Sequence, residues 1–109
     1  MPPDAEVRDD RDHERFVFEA DGAGARLDYR SAPGTLVLVH TEVPDALGGR
    51  GIGGRLVGAA VDRAESERLT VVPWCPFARR WLQQHPDEAA RVTIDWTEPP
   101  GPTRGSRSS

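Results

Sequence analysis

Apolar and polar positions alternate near the start of the chain and then change period. Phe16 and Phe18 flank Val17, and Leu27 and Tyr29 stand two apart beyond the turn residues Asp21-Gly22-Ala23-Gly24. A period of two on either side of a glycine-bearing turn predicts a β-hairpin, because successive strand side chains point to opposite faces. Ser31-Ala32-Pro33-Gly34 is a second turn, and the run TLVLVHTEV, residues 35–43, follows it. Its β-branched, nearly continuous character is that of a central strand covered on both faces. Pro44 ends it.

The period then lengthens. Leu56, Val57, Ala60, Val61 and Ala64 recur at helical spacing with charges between them, which predicts a helix from about Gly53 to Glu67. Leu69 to Pro73 reads as a short buried strand, so strand, helix and strand form a βαβ unit with parallel strands. Pro76 suits the first position of a second helix, where its fixed φ is already helical. That helix carries Phe77, Trp81 and Leu82 and stops before Pro86, with His85-Pro86 as its stop signal. Asp87 to Ile94 is ambiguous, a short helix and a final strand being the favoured division. The expected fold is a mixed α/β (α+β) sheet with hairpins first and one parallel crossover after them.

Residues 1–13 are charged and poor in apolar residues, and residues 97–109 are rich in Pro, Gly and Ser. Neither segment has the means to form a core, so both are expected to stay disordered around one domain at 14–96. At 109 residues the chain has room for a single small core. Its formal charge of −4 argues against binding dominated by nucleic-acid phosphates. Cys75 is the one cysteine, which excludes an internal disulfide and fits a reducing cytoplasm. No charged start leads into a long apolar run, so neither signal peptide nor membrane span is expected. The expectation is a cytoplasmic monomer or small homo-oligomer.

The stretch GGRGIGG, residues 48–54, holds five glycines in seven residues. A P-loop closes its glycine run with Lys and Ser or Thr; here Gly54 is followed by Arg55-Leu56, and that reading fails. Gly49-x-Gly51-x-x-Gly54 formally matches a dinucleotide fingerprint, but Pro44 to Gly48 separate it from the strand. Pro73-Trp74 also stand where an acidic residue is needed. A third reading needs only a helix N-terminus, whose unpaired N–H groups and partial positive charge receive a pyrophosphate where glycines let it approach. Arg50 or Arg55 would add a charge-assisted contact. The alternative is a plain strand-to-helix loop that uses glycine for turning.

With these segments in hand, the chain resembles a known family. HTEVPDALGGRGIGGRLV, VVPWCPF and WLQQHP, in that order, are similar to the Gcn5-related N-acetyltransferase (GNAT) superfamily, and more narrowly to its minimal-domain YjdJ-like or NATD1-like group. The resemblance covers about residues 14–90. It implies a mixed sheet splayed at its middle strands, with acetyl-CoA in the opening and its pyrophosphate on the loop before the long helix. The family's Arg/Gln-x-x-Gly-x-Gly/Ala signature falls on Gly48 to Gly53, with Gly48 in place of Arg or Gln. The resemblance makes Gly49, Arg50, Gly51, Ile52, Gly53 and Gly54 coenzyme A contacts. It makes Thr41, Glu42 and Val43 the segment whose backbone pairs with the pantetheine arm.

Amine acetylation needs an acceptor for the amine proton, a group that polarises the carbonyl and a proton for the departing thiolate. His40, Glu42 and Cys75 qualify by type and place. Imidazole titrates near neutrality, although His40 could equally be a histidine packed beside the sheet. Glu42 shares a face with His40 in a regular strand, and a bulge would break that rule; the plain alternative is a solvated carboxylate. Cys75 precedes Pro76 and so falls at a helix N-cap, where dipole and N–H groups favour a thiolate; the plain alternative is a small buried thiol beside Trp74. The resemblance associates this cysteine and the strand histidine with catalysis. Trp74, Phe77 and Trp81 are expected in the core, and no cluster has metal-ligand spacing. The expected activity is acetyl-CoA-dependent N-acetyl transfer to an amine, either a protein or peptide lysine or a small amine. The tight turn at Asp21 to Gly24 leaves the acceptor groove open. The alternative is a coenzyme A-binding module without transferase activity.

Overall fold

The structure is a computed structural model that describes residues 7–99. The expectations for residues 1–6 and 100–109 lie outside the described residues. Six strands form one sheet in the order of the chain: β1 (Arg8–Asp10), β2 (Arg15–Ala20), β3 (Ala23–Ala32), β4 (Thr35–Glu42), β5 (Thr70–Pro73) and β6 (Thr93–Ile94). β1 to β4 pair antiparallel, and β4, β5 and β6 pair parallel. Three helices connect the later strands: α1 (Ile52–Glu67), α2 (Pro76–Gln84) and α3 (Pro86–Ala89).

Local chemistry accounts for the turns. Ala20 pairs with Ala23 across Asp21-Gly22, both with positive φ (55° and 76°). That is the two-residue hairpin turn whose twist matches its strands. Pro33-Gly34 turns the chain between β3 and β4 with Gly34 at φ 72°, the arrangement of a type II turn. Phe16 and Phe18, Leu27 and Tyr29, and Leu36 and Leu38 point inward, where Leu56, Val57, Ala60, Val61, Ala78 and Leu82 of α1 and α2 meet them in one core cluster. β4 was expected to be covered on both faces. Instead Leu36 and Leu38 are buried while Val37 and Val39 are half-buried, because the helices pack on the inward face.

Two further expectations are corrected. Phe77, expected in the core, is exposed, because it lies over the first turn of α1 at the surface. Residues 8–10, within the segment expected to lack structure, form β1 against Arg15 to Val17. Tertiary partners hold it there. Tyr29 donates its hydroxyl to Asp9 (2.6 Å), Arg63 donates to Asp9 (3.1 Å) and Arg11 to Glu67 (2.5 Å). The Arg11 bond holds the Glu67 carboxyl below its ordinary range. Burial, together with the bond to Asp9, pushes the Tyr29 phenol up to about 12. Composition could not reveal β1, since the bonds that tie it to the rest of the fold, through Tyr29, Arg63 and Glu67, come from residues distant in sequence. Residues 97–99 carry neither helix nor strand, and among the described residues no helix is long and apolar enough to cross a membrane.

Candidate active site

The parallel pairing of β4 with β5 runs from Thr35↔Thr70 to Leu38↔Pro73 and stops. Pro73 ends β5, but β4 continues to Glu42 along β3. The sheet therefore opens beyond Leu38, and Cys75 N–H donating to Leu38 C=O at 2.9 Å marks the base of the opening.

A bulge decides which side chains face which way there. Tyr29 is opposite Leu38, but the next residue back, Asp28, is opposite His40, so Val39 is extra. An extra residue shifts the alternation of its strand by one. Leu27↔Thr41 then faces the core, and Asp28↔His40 and Arg26↔Glu42 face the other side. His40 and Glu42 do share a face, because the bulge precedes both. Had β4 stayed regular, His40 would have followed Leu36 and Leu38 inward.

On the outer face His40 Nε2 lies 3.4 Å from Glu42 Oε1, with both side chains more than half exposed. Arg26 bridges two carboxylates, at 3.2 Å from Glu42 and 3.2 Å from Asp28, and Arg15 lies 3.9 Å from Asp28. The His40–Glu42 pair, exposed on both sides, contributes little to stability. Sequence reasoning missed Arg26 and Asp28, since only the register across β3 and β4 brings them beside His40.

On the inner side Cys75 is buried at 3% exposure, and its Sγ lies 3.1 Å from Thr41 Oγ1. Cys75 is the N-cap residue of α2, as its position before Pro76 implied, yet its side chain makes no capping bond. The thiol turns to the Thr41 hydroxyl instead. His40 and Cys75 therefore lie on opposite sides of β4, one exposed and one enclosed. Val43 follows the strand and is half-buried against the core.

The N-terminus of α1 lies beyond a single 3₁₀ turn, Asp45–Leu47. Gly51 is its N-cap in the left-handed region (φ 72°) and no side chain caps the helix. The first helical bond is Arg55 N–H to Gly51 C=O, 3.2 Å, so the amides of Ile52, Gly53 and Gly54 precede the helical ladder. Gly49 (φ 78°) and Gly51 turn the chain in open space. Ile52 buries its side chain (2% exposed) and can offer a ligand only its backbone. Arg50 bonds to Asp21 of the β2–β3 turn at 2.9 Å, and Arg55 stacks over the Phe18 ring at 4.8 Å. Bare donors, glycine turns and an unpaired stretch of β4 fit a long ligand with a diphosphate.

A concavity of about 400 Å³ lies elsewhere, over α1, lined by residues that include Arg55, Gly58, Asp62, Trp81 and Arg91. It contains none of the candidate catalytic groups. Among the described residues no group of three or more His, Cys, Asp or Glu side chains is placed to hold a metal ion.

Comparison with known proteins bears on the family and the fold. Residues 15–92 match the model of a family described as GCN5-related N-acetyl-transferase. Protein NATD1 of Xenopus tropicalis is 33% identical over 92 residues, covering 79% of this chain and 84% of the relative. Protein NATD1 of Homo sapiens is 35% identical over 83 residues, covering 73% of this chain and 74% of the relative. Among solved structures, a GCN5-like protein of Staphylococcus aureus, determined in solution by NMR, superimposes with a TM-score of 0.67 at 26% identity. The match covers 89% of this chain and 94% of that one.

Proposed function

Because this chain belongs to the GCN5-related N-acetyltransferase family, we propose that it transfers the acetyl group of acetyl-CoA to an amine. The acceptor is a protein or peptide lysine or a small amine. The observation that carries this reading is the opening beyond Leu38, where β4 runs on to Glu42 without β5. A pantetheine arm can pair with the β4 backbone at Thr41 to Val43, and a diphosphate can accept hydrogen bonds from the amides at Gly49 to Gly54. Arg50 and Arg55 would reach it by leaving Asp21 and the Phe18 ring.

Bound acetyl-CoA supplies the acetyl group as a thioester, already activated toward an amine. His40, on the outer face, takes the proton that the amine loses as its nitrogen forms the new bond. Glu42, 3.4 Å away, steadies the imidazolium that results. Cys75 and Thr41, on the inner side, form a hydroxyl–thiol pair that can deliver a proton to the departing thiolate. The open face and the tight Asp21-Gly22 turn favour an acceptor presented by a peptide or protein over an enclosed metabolite. A reducing, cytoplasmic setting suits a free Cys75 thiol.

Release of coenzyme A in the presence of lysine peptides and small amines tests the reading. His40→Gln is expected to lower kcat by about 10²-fold or more, with the affinity for acetyl-CoA preserved. Tight binding with no coenzyme A released across the panel would replace the enzyme by a binding module. Mass spectrometry after incubation with acetyl-CoA alone should show an unmodified Cys75; an acetylated one would mean transfer in two steps.

A further inference from the structure

Glycine is a poor choice inside a helix, because it has the most freedom to lose on folding. Gly53 and Gly54 nevertheless occupy the first turn of α1 side by side. Neither has a positive φ, in contrast to Gly49 and Gly51. Something other than backbone conformation excludes a side chain there. A methyl group built on Gly53 would lie 2.7 Å from Phe77 Cζ, and one on Gly54 would lie 2.5 Å from Trp81 Nε1. A methyl on Gly58, farther along the same helix, would meet nothing within 4 Å.

The glycine-rich stretch therefore divides in two. Gly49 and Gly51 turn the chain in open space, whereas Gly53 and Gly54 form a socket for two rings of α2. The rings differ in freedom. Phe77 is 38% exposed, so it can swing aside. Trp81 is half-buried against the core, and His85 stacks on it at 4.1 Å and 17°. His85 Nδ1–H also donates to the Trp81 carbonyl at 2.7 Å, which fastens ring and backbone together.

We propose that Trp81, backed by His85 and assisted by Phe77, is a positioning residue that sets the direction of the Ile52 to Gly54 amides by pressing on the first turn of α1. The small residues at Gly53 and Gly54 are then demanded by α2 and not by the approach of the ligand. The proposal rests on the coenzyme A reading above.

The test combines Gly54→Ala, Trp81→Phe, the double variant and Gly58→Ala as a control in the same helix. Coenzyme A affinity is measured by calorimetry, acetyl transfer by kcat and KM, and melting temperature without ligand. Gly54→Ala should weaken coenzyme A about tenfold, raise KM for acetyl-CoA with kcat at saturation held, and lower the melting temperature. Trp81→Phe alone should weaken it about threefold. In the double variant the smaller ring makes room for the methyl, so affinity should return to within about threefold of the parent, a coupling that independent sites would not give. Gly58→Ala should leave affinity unchanged and raise the melting temperature.

Unchanged affinity in Gly54→Ala would overturn the proposal, and so would a double variant as weak as the product of the two single losses. If Gly54→Ala does not fold alone, folding and binding by the double variant supply the rescue, and their failure overturns it. Absence of coenzyme A binding by the parent protein would remove the functional reading and the positioning role with it. Melting temperatures would then decide the socket separately.

Discussion

The two ends of α1 are built on opposite plans. At the C-terminal end nearly everything has a partner. Arg63 reaches Asp9 at 3.1 Å and Glu67 at 3.3 Å, Arg11 joins Glu67, and the Arg68 and Leu69 amides return to the Ala64 carbonyl. At the N-terminal end Gly51 provides no side-chain cap, and one buried side chain, Ile52, fixes the helix to the core. The partnered end fastens β1 to the rest of the sheet. With glycine as its cap, the bare end gives up only a few tenths of a kcal/mol, roughly, against a Ser, Thr, Asn or Asp cap, and leaves its donors to something other than its own side chains.

Four substitutions or titrations would break or sharpen this contrast. The largest effect is expected from Ile52→Ala, which removes the anchor of the uncapped end and should cost about 2–4 kcal/mol in denaturant melts. A cost under about 1 kcal/mol would mean that the end is held some other way. Arg63→Ala should cost about 1–2 kcal/mol, because the side chain is 12% exposed and bridges β1 to α1. Hydrogen exchange should show the loss concentrated in β1. Arg68→Gly should stabilise by about 0.5–1 kcal/mol, since Arg68 holds φ 59° at the C-cap of α1. Stability lost there would show that the arginine has a hidden partner.

The smallest effect at neutral pH belongs to Tyr29, the one tyrosine in the chain. Its phenol is raised to about 12 in the folded protein, against about 10 in an unfolded chain. A raised value means that the neutral form is favoured by folding. Its contribution is complete below pH of about 10 and is lost as pH rises toward about 12. Phenolate absorbance should report the shift directly. In Asp9→Asn the phenol should titrate closer to its ordinary value, because the carboxylate that disfavours its ionisation is gone.

What could be read from the sequence divides along a similar line. Strand, helix and turn were legible wherever the cause lies within a few residues: Asp21-Gly22, Pro33-Gly34, the apolar stripe of α1, Pro76 opening α2 and Pro86 ending it. β1 was not, because its hold comes from Tyr29, Arg63 and Glu67, each distant in the chain. The candidate site was legible as residue types. His40, Thr41, Glu42 and Cys75 do gather at the opening between β4 and β5, but their distribution between two faces depends on register with β3. The partners Arg26 and Asp28 depend on it too. That a side chain at 53 or 54 would meet Phe77 and Trp81 was not legible, because nothing local discloses that these rings arrive there from α2.

Val39 has a consequence out of proportion to its size. Along an ordinary strand, odd and even positions keep their sides for the whole length, and a single insertion exchanges them from that point on. Ahead of Val39 the even positions are oily and hidden; past it, even-numbered His40 and Glu42 meet the solvent and odd-numbered Thr41 turns toward Cys75. Straightening the strand with that one valine kept in line would reverse the assignment, bringing an imidazole and a carboxylate indoors and sending a hydroxyl out, with no letter of the chain altered.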